Sequence, residues 1–230
     1  TLEGASYERS PTEDGVLHRW KGENAPKLVA EPRMPGWVEI ARYLHVSTFA
    51  SWDEVASYWW GLVKEQIEPT PLIREEARKI VASIPARDLR GRVQAIHRYV
   101  LEKTRYVGLE LGIHSYKPYE VEQVLRRGFG DCKDKAALTH ALLRAVGIDS
   151  RLVLLRMRSL GRVEEEPASL AVFNHAILYV PALDLYLDGT AEWSGISELP
   201  EADRDAEILI VHPDGSGTRT RTGDGPMETN

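Results

Sequence analysis

Apolar residues recur at helical spacing through the first half of the chain and in short continuous runs through the second half. Val55, Trp59, Leu62, Val63 and Ile67 follow Ser51-Trp52-Asp53-Glu54, whose spacing is that of a capping box, and predict a helix over about 51–67. A second helix is expected over about 71–83. Thr70 serves as its cap, Pro71 takes the first helical position, and Ile73, Ala77, Ile80, Val81 and Ile84 form its stripe. Leu89, Val93, Ile96, Val100 and Leu101 mark a third over about 88–104. The stretch from Arg105 to Leu111 reads as extended, and Glu120 to Arg126 as a short helix with Gly128 and Gly130 bracketing the turn behind it. Asp131 can cap the next helix, which runs from Cys132 to about Val146 and stops at Gly147.

Later segments read as strands: Arg151 to Met157, His175 to Val180 paired with Asp184 to Asp188 around Pro181-Ala182, and Glu207 to Val211. Residues 1 to about 40, punctuated by Pro11, Pro26, Pro32 and Pro35, read as loops and short strands. Helices first and strands afterwards indicate an α+β class. The acidic stretch around Glu164-Glu165-Glu166 reads as a solvated loop, and the longer segment from Ser159 to Ala171 as a lid or partner surface.

Composition narrows the function. With 230 residues, 43% of them hydrophobic, the chain can bury a substantial core, and no apolar run is long enough to span a membrane. A formal charge of −6 argues against holding nucleic acid through its phosphates. One cysteine cannot form an intrachain disulfide, so cysteine usage does not choose a redox compartment. Because the sequence begins with Thr1 and ends in the turn-rich GDGPMETN, it reads as a piece of something longer.

That cysteine, Cys132, sits behind Gly128-Phe129-Gly130-Asp131 at a helix start. Unpaired N–H groups and the positive end of the helix dipole favour a thiolate there. Lys133 and Lys135 add positive charge, and Asp131 and Asp134 offset it, so an activated thiolate needs a histidine from elsewhere. His140, two turns along the same helix, is about 12 Å away and out of reach. His18, His45, His97 and His212 have ordinary readings, and His114 stays open as a loop histidine. His175 is the strongest partner. A tight turn centred on Pro181-Ala182 pairs His175 with Asp188 and Tyr179 with Asp184, which sets an acid against the imidazole in the orienting role of a triad. No HxxxH, CxxC or His-x-His cluster indicates a metal, and no GxSxG elbow, phosphate loop or dinucleotide fingerprint is present.

Tyr106-Val107-Gly108-Leu109-Glu110-Leu111-Gly112, Gly130-Asp131-Cys132-Lys133-Asp134-Lys135-Ala136, Phe173-Asn174-His175-Ala176 and Leu187-Asp188-Gly189-Thr190 occur in that order. On these motifs the chain resembles the transglutaminase-like superfamily over residues 50 to 200, and more narrowly bacterial multidomain proteins in which a β-rich domain precedes such a core. The resemblance implies a papain-like arrangement with Cys132 as nucleophile, His175 as base and later acid, and Asp188 as orienting acid. It also implies a core over 46–200, with 1–45 as the tail of a preceding β-rich domain and 201–230 as a C-terminal strand leading into a following one. The implied substrate is a protein or peptide amide, with an amine acceptor in the transamidating version. No cofactor is called for, and no acidic loop of EF-hand type indicates the calcium that some relatives use. Export to a bacterial envelope follows from the resemblance alone. Many relatives carry a tryptophan after the histidine and a proline after the aspartate, where this chain has Ala176 and Gly189. The backbone N–H of Cys132 and the side chain of Tyr106 are the candidate oxyanion donors. Two other readings are a binding module that keeps the fold without turnover, and a redox sensor at Cys132.

Overall fold

The computed structural model describes residues 5–223 apart from 26, 33, 193, 194 and 197. Pro26 and the terminal DGPMETN beyond Gly223 therefore lie outside the described residues. The chain opens with a hairpin of β1 (Ala5–Thr12) and β2 (Gly15–Gly22), a more regular unit than the loops and short strands expected there. A short helix α1 (Trp37–Ile40) follows. Next come α2 (Trp52–Val63) and α3 (Pro71–Val81), which start where their caps predict, and α4 (Leu89–Lys103), which starts where its apolar stripe does. Ser51, Thr70 and Asp88 each accept a backbone N–H from the first turn, so one otherwise orphaned donor is satisfied in every case.

The expected extended stretch after α4 contracts to β3 (Arg105–Tyr106), which pairs in parallel with β4 (Phe129–Gly130). Between them lie a 3-10 turn at Gly112–Ser115 and the helix α5 (Val121–Arg127). Gly128 ends α5 at φ 69°, a left-handed geometry that glycine adopts without steric cost, whereas Gly130 belongs to β4 and not to a turn.

Helix α6 (Cys132–Ala145) is the centre of the molecule, with every residue from Cys132 to Leu143 buried. It packs against α3, α4 and α5 on one side and the sheet on the other, and Ala136, Ala137 and Ala141 allow that close approach. The sheet runs β7-β6-β5-β8-β9, all antiparallel, from β5 (Arg151–Arg156), β6 (His175–Val180), β7 (Leu185–Leu187), β8 (Glu207–Val211) and β9 (Gly217–Arg221). Leu152, Leu154, Leu178, Val180, Leu209 and Val211 join the helices in the main core. Val153, Leu155, Ile177, Ile208 and Ile210 form a smaller cluster with Met157, Tyr179, Tyr186 and Leu199. Both faces of the central strands are covered, so these strands read as continuous apolar runs without polar alternation. The class is α+β, with 201–221 integral to the same sheet region because β8 lies directly beside β5.

Two local expectations are corrected. The β6–β7 register pairs Tyr179 with Tyr186 and Leu178 with Leu187, displaced by two residues from the pairing that places His175 opposite Asp188. Pro181–Leu183 forms a 3-10 turn and Asp184 follows in the left-handed region at φ 45°, so the connection is four residues long and not two. The segment before β6 is also tied down. Tyr43 Oη donates to Glu164, Trp52 Nε1 to the carbonyl of Glu165, and Arg162 N to Glu39, while Val163, Ala168 and Leu170 are buried. That anchoring replaces the freely solvated loop expected around Glu164. Among the described residues no helix is long and apolar enough to cross a membrane.

Candidate active site

The first turn of α6 carries the cysteine, and its geometry is set by local charge pairing. Asp131 accepts the N–H of Asp134, and Asp134 reciprocates by accepting the N–H of Asp131. This capping box fixes the backbone on both sides of Cys132. Asp134 also accepts from Tyr119 N at 2.8 Å and from Arg127 at 2.7 Å, which ties α5 and the preceding loop to the same turn. A Cβ on Gly130 would come within 2.7 Å of the Asp134 Cβ, so the close approach of β4 to α6 requires glycine there. Lys133 pairs with Asp131, and the fully buried Lys135 donates to the carbonyl of Thr104 at 2.7 Å. Each of the four charges flanking Cys132 thus has its own partner. Neither lysine is left as a free counter-ion for the sulfur.

Cys132 is 8% exposed and lines a cleft of about 230 Å³ together with His175, Glu110, Tyr116, Leu170 and Phe173. Trp59 Nε1 donates to the carbonyl of Tyr116 at 2.9 Å, so a core tryptophan holds the rim of this cleft. His175 opens β6 and is buried beside the sulfur. Its Nε2 faces two carboxyls, Asp188 Oδ1 at 3.3 Å and Asp203 Oδ2 at 3.8 Å. Neither contact is aligned as a linear hydrogen bond. Burial alone would push the imidazole down, but Asp188 and Cys132 outweigh it and raise His175 to about 10. For Asp188, burial works upward and is overcome by His175 and by the donors of Thr190, which leaves the carboxyl below its ordinary value. Thr190 supplies both a backbone N–H at 2.7 Å and a hydroxyl at 2.8 Å to Asp188 Oδ1.

The structure therefore brings Cys132, His175 and Asp188 together, although not through the register expected. Asp188 lies just beyond the end of β7, and continuing the observed register sets it opposite Ile177, diagonal to His175. A two-residue displacement preserves which face a side chain occupies, so the acid still meets the imidazole.

Sequence reasoning missed three supporting residues. His97, read as an ordinary helix-face residue, reaches the backbone carbonyl of Asp188 at 3.0 Å. Burial pushes its imidazole down, so it is neutral and donates Nε2–H to that carbonyl. Thr190 stood in the quoted motif without a role. Asp203, buried at the end of a 3-10 turn (Glu201–Asp203), has no sequence signal. His114 stacks on Tyr119 at 3.8 Å and contacts the Lys117 carbonyl, and His140 contacts Ser150 Oγ, so both are engaged elsewhere.

Tyr106 lies in β3 directly opposite Gly130, two residues ahead of Cys132. Its phenol is pushed up to about 12 by burial and by the negative potential of Cys132, Glu110, Asp131 and Asp188, so it stays protonated and able to donate. His175, Asp188 and Asp203 also form the one group of described residues with metal-ligand spacing, their ligand atoms lying within 4.8 Å of one another. As a metal site it would compete with the orienting contact between Asp188 and His175.

A central helix presenting a cysteine at its start, packed on an antiparallel sheet that carries a histidine, defines a transglutaminase-like fold. Residues 77–179 match the family described as Transglutaminase-like superfamily, and over that stretch the chain is similar to it. Cys132 and His175 fall inside the matched stretch, and Asp188 and Asp203 beyond it. A crystal structure of a candidate protease from Parabacteroides distasonis superposes with a TM-score of 0.75 at 18% identity, over 97% of this chain and 41% of that one. The chain thus spans about two fifths of the length of that structure. A candidate cysteine protease from Cytophaga hutchinsonii aligns over 97% of this chain and 68% of its own at 14% identity and a TM-score of 0.42. LapG of Legionella pneumophila aligns over 75% and 78% at 13% identity and a TM-score of 0.33. No curated protein matches the chain.

Proposed function

We propose that the chain carries out cysteine-dependent acyl chemistry on amide bonds, with Cys132 as nucleophile, His175 as proton carrier and Asp188 as orienting acid. The observation that supports this reading is that one buried imidazole, His175, meets Asp188 Oδ1 through Nε2 at 3.3 Å while Cys132 acts on the same ring. The sulfur attacks the amide carbonyl carbon, and the carbonyl electron pair moves to oxygen. The N–H of Cys132 and the hydroxyl of Tyr106 are the donors available to that oxyanion. His175 then gives its proton to the departing nitrogen, the C–N bond breaks, and a thioester on Cys132 remains. Water completes hydrolysis, and a primary amine completes transamidation, in either case with His175 taking the proton of the incoming nucleophile. We take hydrolysis as the second step, and the amine-incorporation arm of the test decides between the two.

The test is to incubate the protein with a pool of unfolded protein substrate, with and without a primary amine such as cadaverine, and to read both products and Cys132 by mass spectrometry. New peptide termini or deamidated glutamine, lost in Cys132→Ala and in His175→Ala, support the reading. Amine incorporation reassigns the second step to transamidation. Alkylation of Cys132 by iodoacetamide at the rate of an ordinary thiol, unchanged in His175→Ala, removes the triad.

A further inference from the structure

Asp203 is 1% exposed, and neither of its carboxyl oxygens has a hydrogen-bond donor. It is nonetheless held firmly in place. Its N–H donates to the Pro200 carbonyl, its own carbonyl accepts the Thr222 hydroxyl, and Thr222 in turn accepts the N–H of Ala206 at the base of β8. The side chain is thereby fixed 3.8 Å from His175 Nε2, on the nitrogen that also meets Asp188. Two ionised carboxylates around one imidazole, with no donor reaching Asp203, would leave one negative charge buried and unmatched. A proton on one of the two removes that cost, because the neutral carboxyl becomes a donor toward its neighbour. Asp188 already receives two donors from Thr190 and Asp203 receives none, so the proton belongs on Asp203.

We propose that Asp203 is a positioning residue of the thiol site, a protonated acid that shares its proton with Asp188 so that the pair presents a single negative charge to His175. The arrangement matters for proton delivery, since a second full negative charge would hold the imidazolium proton too tightly for release to a departing amine. The titratable groups acting on Asp203 are His175 from β6 and Asp188 from the end of β7, with Cys132 of α6 behind the imidazole. Arg158, in the 3-10 turn packed against Asp203's own, acts on Asp205 instead. Burial is the largest influence on Asp203; His175 opposes it, Asp188 adds to it, and the carboxyl is raised to about 7. The consequence for catalysis rests on the function proposed above. The shared proton does not.

The His175 ring nitrogens are followed by NMR from pH 5 to 9 in the wild-type protein, assigned by comparison with His175→Gln. The expected result is a step centred near pH 7, reporting a neighbouring carboxyl, that disappears in Asp203→Asn and survives in His97→Gln. The wild-type titration decides the question even where a variant folds poorly, because a His175 signal that stays flat across this range overturns the proposal. A step that persists in Asp203→Asn also overturns it. So does a zinc ion that copurifies stoichiometrically and whose removal by a chelator abolishes the step. Iodoacetamide alkylation of Cys132 at pH 6 separates the two claims. His175→Ala should react far more slowly than wild type if the thiol depends on the imidazole. A wild-type cysteine indifferent to His175 defeats the acyl-transfer reading, and the NMR step still decides the role of Asp203.

Discussion

Replacing Asp188 by asparagine removes one charge 3.3 Å from His175 Nε2 and almost no volume. The imidazole is raised from an ordinary value near 6.5 to about 10 against the effect of burial, and Asp188 is the first of the influences that raise it. Breaking a buried charge pair costs about 3 kcal/mol at the low end, a factor of roughly 100 in the preference for the imidazolium. The asparagine oxygen would be claimed by the Thr190 N–H that now holds Asp188, which turns the amide nitrogen toward His175. Nε2 would then accept, the ring proton would shift to the nitrogen facing the sulfur, and the imidazole would lose the tautomer that can take a proton there. Iodoacetamide alkylation of Cys132, followed from pH 5 to 10 by mass spectrometry, reads this directly. At pH 6 the variant should react about 100-fold more slowly than wild type, and the two curves should converge near pH 10, where thiols ionise without help. Superimposable curves, or a constant ratio at every pH, would refute the coupling of Asp188 to the cysteine through His175.

Asp134→Ala removes the reciprocal half of the α6 capping box and leaves Arg127 and the Tyr119 N–H without this buried acceptor, so urea unfolding should show a loss of about 3–5 kcal/mol. A loss below 1 kcal/mol would show that the buried pair is readily replaced. Tyr106→Phe should leave stability unchanged and slow amide turnover by about 10-fold to 100-fold, mostly in kcat, as expected for a lost oxyanion donor. His175 binds its proton more tightly folded than unfolded. Its contribution to stability is therefore complete below about pH 6.5 and disappears as the pH climbs through about 10, and His175→Gln should flatten that decline in thermal melts. Asp203 is raised from 3.8 to about 7, so its contribution is complete only below about pH 4 and is lost as the pH climbs through about 7, which predicts that the stability of Asp203→Asn relative to wild type rises progressively between about pH 4 and about pH 8 in thermal melts.

Helix starts at Ser51, Thr70 and Asp131 were legible because a cap acts on N–H groups three residues away, and that information is local. The apolar runs of β5, β6 and β8 were legible for a similar reason, since a strand buried on both faces is apolar at every position. Cys132 at the head of α6 and His175 at the head of β6 followed from those two kinds of signal. The β6–β7 turn was not legible. Pro181-Ala182 resembles a tight turn, and only the left-handed Asp184 reveals the longer connection. The error of two residues kept the parity of the strand, so the meeting of His175 and Asp188 did not depend on it.

What the sequence alone determined is the order of elements, the cysteine at a helix terminus and the histidine at a strand start, because each depends on neighbours within a turn or along one strand. Tertiary structure alone decided that His97 supports the backbone of Asp188, that the two lysines beside Cys132 are spent on Asp131 and Thr104, and that Asp203 enters the site from beyond β7. These contacts join segments far apart in the chain, and no spacing or propensity records them. They arise when α4, α6 and the sheet close on one another and leave each buried polar group to find a partner within reach.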